Sequence, residues 1–189
     1  MGNSSEAHYN GGMKIILLGY RGSGKSTVGQ HVAKKLGWAF VDTDEVIVER
    51  FGGMSIAKIW SEYGERAFRE KEVEVVKEAC DGKGDAVIAL GGGAVMQKGA
   101  FDAVVGCCDA VRVYLSAPAE VLYERISGDV KSDETRPSLT GKGTGLDEVR
   151  EILAKRVETY QAASDVIVDV AAPELEQVSD EIIGLIGQQ

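Results

Sequence analysis

The sequence predicts an α/β fold, a parallel sheet of five strands with helices on both faces, and three observations predict it. Strand-like and helical segments alternate along the chain. The strand candidates are continuous apolar runs, as expected of strands buried on both faces. The first run feeds directly into a glycine-rich loop and then a helix.

MKIILLG at 13–19 is the first strand, short, apolar and β-branched. Residues 25–36 place Val28, Val32, Ala33 and Leu36 on one helical face and stop at Gly37. WAFVD at 38–42 is the second strand, and Asp42 or Thr43 can cap a short helix reaching Val48. A helix from Ser55 ends at Gly64, and 65–80, rich in Glu, Lys, Val and Ala, forms the next. DAVIALGGG at 85–93 is a third strand entering a glycine loop, and AVRVYL at 110–115 is the fourth. No element is read between them. Helices follow at about 118–126 and 146–160, DVIVDV at 165–170 is the fifth strand, and 173–186 is the closing helix. Between Ser127 and Gly145 the composition turns to Gly, Ser, Thr, Asp and Lys, a long loop of the kind that often serves as a lid.

The 189 residues suit one domain over 13–189, preceded by a polar, Gly-rich segment at 1–12 that reads as a disordered tail or a vector-derived remnant. A net charge of -9 argues against a nucleic-acid binder, which needs a basic face. Any anionic ligand must be held by a local cluster of positive groups. No apolar run approaches the roughly 20 residues of a membrane span, and the N-terminus lacks the basic and apolar regions of a signal peptide. Glu6 stands where a myristoylation motif after Gly2 wants Ser or Thr. Cys80, Cys107 and Cys108 are odd in number, fit a reducing compartment and read as small buried hydrophobes. With only His8 and His31 beside them, a zinc site is poorly supported. The expected location is cytoplasmic.

GYRGSGKS at 19–26 fits G-x-x-x-x-G-K-[ST] in the required context, strand before and helix after. Gly19, Gly22 and Gly24 let successive backbone N–H groups, including those of Ser23 and Thr27 on either side of the lysine, turn toward one concavity. The helix starting near Lys25 adds the positive end of its dipole. Lys25 can reach the β/γ-phosphates of a nucleotide, and the Ser26 hydroxyl can ligate Mg²⁺. The bland alternative is a glycine-rich turn that binds nothing.

FVDTDEVI at 40–47 puts Asp42 and Asp44 at the carboxyl end of the second strand, where ligands bind in doubly wound sheets. One carboxylate could hold Mg²⁺ and the other take a proton from an attacking hydroxyl; alternatively Asp42 merely caps a helix. Arg69 and Glu72, at i, i+3, read by themselves as a surface ion pair. LGGGAV at 90–95 offers backbone N–H groups at Gly91, Gly92 and Gly93 that a polar ligand can approach closely.

Taken together, these segments resemble the shikimate kinase family: GYRGSGKST, DTD at 42–44, GERAFRxxE at 64–72, GGG at 91–93, TRPSLTG at 135–141 and AKRVETY at 154–160, in order from about Met13 to the end. The resemblance implies a P-loop kinase fold with strand order 2-3-1-4-5, a substrate-binding region near 43–72 and a mobile lid near 127–143. It implies transfer of the γ-phosphoryl of ATP, with Mg²⁺, to the 3-hydroxyl of shikimate by a monomer. Asp44, Arg69, Gly92 and Arg156 match the shikimate-binding residues, with Asp44 the candidate base and the two arginines on the carboxylate. Asp42 and Ser26 match the Mg²⁺ site, Arg136 the lid arginine that reaches ATP phosphates, and Arg125 and Pro173 the pair that sandwiches adenine. The lid is somewhat long and reads RPSL, not RPLL, where R-P-L-L or R-P-[ST]-L is usual, and Arg136 alone would read as a solvated loop charge.

Two rivals stand beside this reading. One is a kinase for another small hydroxy acid such as gluconate, against which the joint spacing of Arg69, Arg156 and the GGG loop argues. The other is a nucleotide-binding regulatory protein without catalysis, against which the presence of Lys25, Asp42, Asp44 and Arg136 argues.

Overall fold

The computed structural model describes residues 11–128 and 145–186. Five strands form one all-parallel sheet in the order β2-β3-β1-β4-β5, as the resemblance implies. The strands are β1 (Lys14–Leu18), β2 (Ala39–Asp42), β3 (Ala86–Ala89), β4 (Ala110–Ser116) and β5 (Val166–Asp169). The helices are α1 (Lys25–Leu36), α2 (Thr43–Arg50), α3 (Ile56–Asp81), α4 (Lys98–Gly106), α5 (Ala119–Gly128), α6 (Leu146–Ala162) and α7 (Leu175–Ile186).

The central strand β1, KIILL, is buried along its whole length because strands lie on both sides and helices on both faces. The edge strands β2 and β5 are only partly covered, and Ile167 is exposed. Register decides where the site forms. Asp42 pairs with Ala89 and Ala89 with Leu17, so the ends of β2, β3 and β1 lie in one row. The three loops that leave that row are the start of α2, the GGG loop and the phosphate-binding loop.

A second apolar cluster of Ile47, Ile56, Ile59, Phe68 and Val75 joins α2 to α3, apart from the main core. The two helices expected on either side of Gly64 are both present and meet at a kink there, where Gly64 leaves helical geometry at φ 83°, ψ 157°; the label α3 covers the pair. A helix not anticipated from the sequence, α4, follows a short 3₁₀ turn at Ala94–Met96. Chain geometry requires such a crossover, because β3 and β4 flank β1 on opposite sides.

Of the expected tail, Gly12 belongs to the packed structure, its carbonyl accepting a hydrogen bond from Lys14 Nζ at 3.0 Å. Ser127 and Gly128 complete α5 instead of opening the lid. The rest of the lid, with Arg136, and residues 1–10 lie outside the described residues. Cys80 and Cys107 are buried as expected, whereas Cys108 is exposed. No helix among the described residues is long and apolar enough to cross a membrane.

Candidate active site

Backbone conformation builds the phosphate side. Gly19, Gly22 and Gly24 have φ of 142°, 80° and 84°, which other residues rarely adopt. No side chain caps α1, so the N–H groups of its first turn are left for a ligand. Lys25 is buried and its Nζ donates to the Gly19 and Tyr20 carbonyls, each at 2.8 Å, bracing the loop from within. Ser23 is buried beside it, its Oγ 3.4 Å from that ammonium, whereas Ser26 and Thr27 are exposed.

Asp42 caps α2, one of its two readings from the sequence, with one oxygen and turns the other toward the phosphate-binding loop. Oδ1 caps α2 by accepting from the Asp44 and Glu45 N–H groups at 3.0 and 3.4 Å. Oδ2 accepts from Ser26 Oγ at 2.5 Å. That hydroxyl–carboxylate pair at the mouth of an anion nest has the donor chemistry that would suit Mg²⁺, which takes few protein ligands. The described residues hold no cluster of three His, Cys, Asp or Glu that would form a cage of its own.

Across from the loop lies a cavity lined by Asp44, Arg69, Glu72, Gly92, Gly93 and Arg156, with Arg21 at its phosphate side and Ile56, Trp60 and Phe68 as an apolar wall. The side chains of Asp44, Arg69 and Arg156, expected to converge from three stretches of sequence, line it together with the GGG loop. The GGG loop is wedged among them. A Cβ at Gly91 would stand 2.5 Å from Asp44 Oδ1 and 2.8 Å from Glu72 Oε1, and one at Gly93 would stand 2.8 Å from Arg69 Nη1. Glycine is therefore required at both positions by close approach. From α6, Arg156 Nη1 and the Tyr160 hydroxyl both donate to the Gly92 carbonyl, at 3.0 and 2.5 Å.

The Arg69–Glu72 pair is not the surface pair its spacing suggests. Nη1 and Oε2 are 2.8 Å apart, and the side chains are 15% and 1% exposed. Burial pushes the Glu72 carboxyl up to about 7, against the opposing pull of the Arg69 guanidinium. Arg69 also bonds Glu65 at 3.2 Å and lies 5.3 Å from the ring centres of both Trp60 and Phe68, so its fork is held from several sides.

Sequence reasoning leaves three contributors unassigned. Glu72 stands at the end of GERAFRxxE, where its spacing points to no task beyond pairing with Arg69. Thr43, between the two aspartates, is fully buried; its Oγ1 accepts from Gly91 N at 2.9 Å and donates to Ala89 O at 3.3 Å, fixing the GGG loop on β3. Arg21 occupies a position that the glycine-loop pattern leaves open, so nothing in the motif singles it out.

On the nucleotide side, a Cβ at Gly22 would meet the Leu122 carbonyl and Ile126 Cγ1 at 3.0 Å, so α5 packs against the phosphate loop. Arg125, on that helix, donates to the Val170 and Ala171 carbonyls at 2.6 and 3.3 Å. This ties it to the segment carrying the exposed Pro173.

A family model described as Shikimate kinase matches residues 21–186. Shikimate kinase 2 of Sodalis glossinidius is 36% identical over 175 residues, covering 93% of this chain and 94% of that protein. A shikimate kinase of Mycobacterium avium is 40% identical over 156 residues, covering 82% and 83%. Among solved structures, shikimate kinase from Acinetobacter baumannii in complex with shikimate superposes with a TM-score of 0.83 at 29% identity, covering 95% of this chain and 96% of the other. The chain belongs to the shikimate kinase family.

Proposed function

We infer that this protein phosphorylates shikimate at its 3-hydroxyl with ATP. The observation that carries the reading is the shared cavity: one carboxylate and two guanidinium groups, from Asp44, Arg69 and Arg156, face a common space beside the phosphate-binding loop. Family membership supports it. An acid with ring hydroxyls needs such a set. The guanidinium forks pair with its carboxylate, the wall of Ile56, Trp60 and Phe68 takes its ring, and Asp44 accepts from a hydroxyl.

In the reaction the acceptor oxygen bonds to the γ-phosphorus, its proton passes to Asp44, and the bond to the bridging oxygen breaks to release ADP. Lys25, the loop N–H groups of Gly22, Ser23 and Gly24, and the first turn of α1 at Ser26 and Thr27 hold the phosphates. Ser26 and Asp42 are the residues that would hold Mg²⁺, which supplies charge neutralisation at the β- and γ-oxygens. Arg136 is proposed to reach the phosphates from the lid, and Arg125 and Pro173 to flank the adenine. Gly91, Gly92 and Gly93 shape the floor under the acid. We take the protein to be a cytoplasmic monomer.

The test is ADP formation with ATP alone, with shikimate and with gluconate, and location of the phosphate by phosphorus–proton NMR. Shikimate-dependent turnover giving the 3-phosphate is expected. Turnover with gluconate alone would move the protein to another acceptor, and none with either would leave a nucleotide-binding protein.

A further inference from the structure

Arg21 presents a problem in physical chemistry. It is 7% exposed, and its Nε and Nη2 are buried without a hydrogen-bond partner among the described residues. Guanidinium is charged at every relevant pH, so burying donors of it without a partner is costly. The neighbouring Tyr20 hydroxyl lies close to Arg21, yet it too is buried without a hydrogen-bond partner of good geometry among the described residues, so it does not satisfy those two donors.

The surroundings indicate what is missing. Arg21 lines the same cavity as Arg69, Arg156, Asp44 and Glu72. Its backbone is in that wall too, since a Cβ at Gly92 would stand 3.1 Å from Arg21 N. The other two arginines have occupation: Arg69 bonds Glu65 and Glu72, and Arg156 bonds the Gly92 carbonyl. Three guanidinium groups and two carboxylates line the cavity, and of the three Arg21 carries the unmatched donors.

We propose that Arg21 is a third ligand of the acceptor's carboxylate, its Nε and Nη2 completing their hydrogen bonds only when the acid is bound. The inference rests on shikimate being the acceptor. It assigns Arg21, although it lies in the phosphate-binding loop, to the acid and not to the nucleotide. The apolar wall and the two other arginines bound the cavity that Arg21 enters, whereas the phosphate loop offers its N–H groups and Lys25 to the phosphates.

The test is calorimetric binding of shikimate, its methyl ester and ATP to wild type, R21M and R21K. R21M is expected to lose shikimate affinity by about tenfold or more, since a charge-assisted hydrogen bond to a buried ion is removed. ATP affinity should stay within about twofold of wild type. The acid-over-ester preference of wild type should shrink in R21M by the factor lost for the acid. R21K keeps the charge but not the planar fork, so it should lie between the two. Should R21M fail to fold, R21K decides: at least about threefold weaker shikimate binding at wild-type ATP affinity is expected. Unchanged shikimate affinity in the variant that folds, or a loss confined to ATP, overturns the proposal. Wild type binding no shikimate at all would instead remove the functional reading beneath it.

Discussion

The phosphate-binding loop and the acceptor cavity meet at Gly92, yet they are built in opposite ways. The loop is nine consecutive residues, 19–27, that form a site from their own backbone. Its main brace, Lys25 on the Gly19 and Tyr20 carbonyls, is also local. The cavity draws on α2, α3, the GGG loop and α6, and its charged groups reach one another only because the sheet register brings three strand ends into one row. A nest made of main chain depends on few side chains, here Lys25 above all. A site made of converging side chains depends on each residue and on the supports behind it.

That contrast is sharpest at Asp44. D44N keeps the shape and removes the base, so kcat should fall about 10²- to 10⁴-fold while ATP affinity, set by the loop, stays near wild type. Retained kcat would show that the cavity needs no proton acceptor there.

Glu72 comes next. Its carboxyl titrates at about 7 in the folded protein and near 4.5 in the unfolded chain, because burial disfavours the charge. Folded protein therefore binds more protons than unfolded between those values, and stability contributed by this group is present below pH 4.5 and lost as pH rises through about 7. The loss is on the order of 3 kcal/mol. Urea unfolding at a series of pH values should show this decline in wild type and not in E72Q. Parallel curves would mean that Glu72 does not carry it.

R69K should raise the KM for shikimate about tenfold or more with little change in the KM for ATP, since the planar fork is lost while the charge remains. An unchanged KM would leave Arg69–Glu72 a buried structural ion pair with no part in holding the acid. Thr43 acts from behind the site, so its effect should be the smallest. T43V leaves the Gly91 N–H buried without an acceptor and should cost about 1–3 kcal/mol of folding stability. Undiminished stability would indicate that the GGG loop finds another partner.

The same contrast explains what could be read from the sequence. The nucleotide loop is legible because its chemistry and its spacing are one string. Asp42 is legible as a helix cap, and its second oxygen is taken up by the Ser26 hydroxyl. Burial is a property of the assembled fold, so the i, i+3 spacing of Arg69 and Glu72 predicts an exposed pair and misses a carboxylate with 1% of its surface exposed. Thr43 reads only as a helix cap, because its true partners, Ala89 and Gly91, are more than forty residues away in sequence. Helix α4 escapes notice because KGAFDAVVG carries glycine near its start and at its end and lacks a capping side chain.

The position of the bound acid decides whether the cavity does what its side chains suggest. A crystal structure with shikimate and a non-hydrolysable ATP analogue measures this directly. The predicted result is a carboxylate within hydrogen-bond reach of Arg69 and Arg156, with a ring hydroxyl between Asp44 and the terminal phosphate. Shikimate held elsewhere, with those three side chains contacting only protein or water, would contradict it.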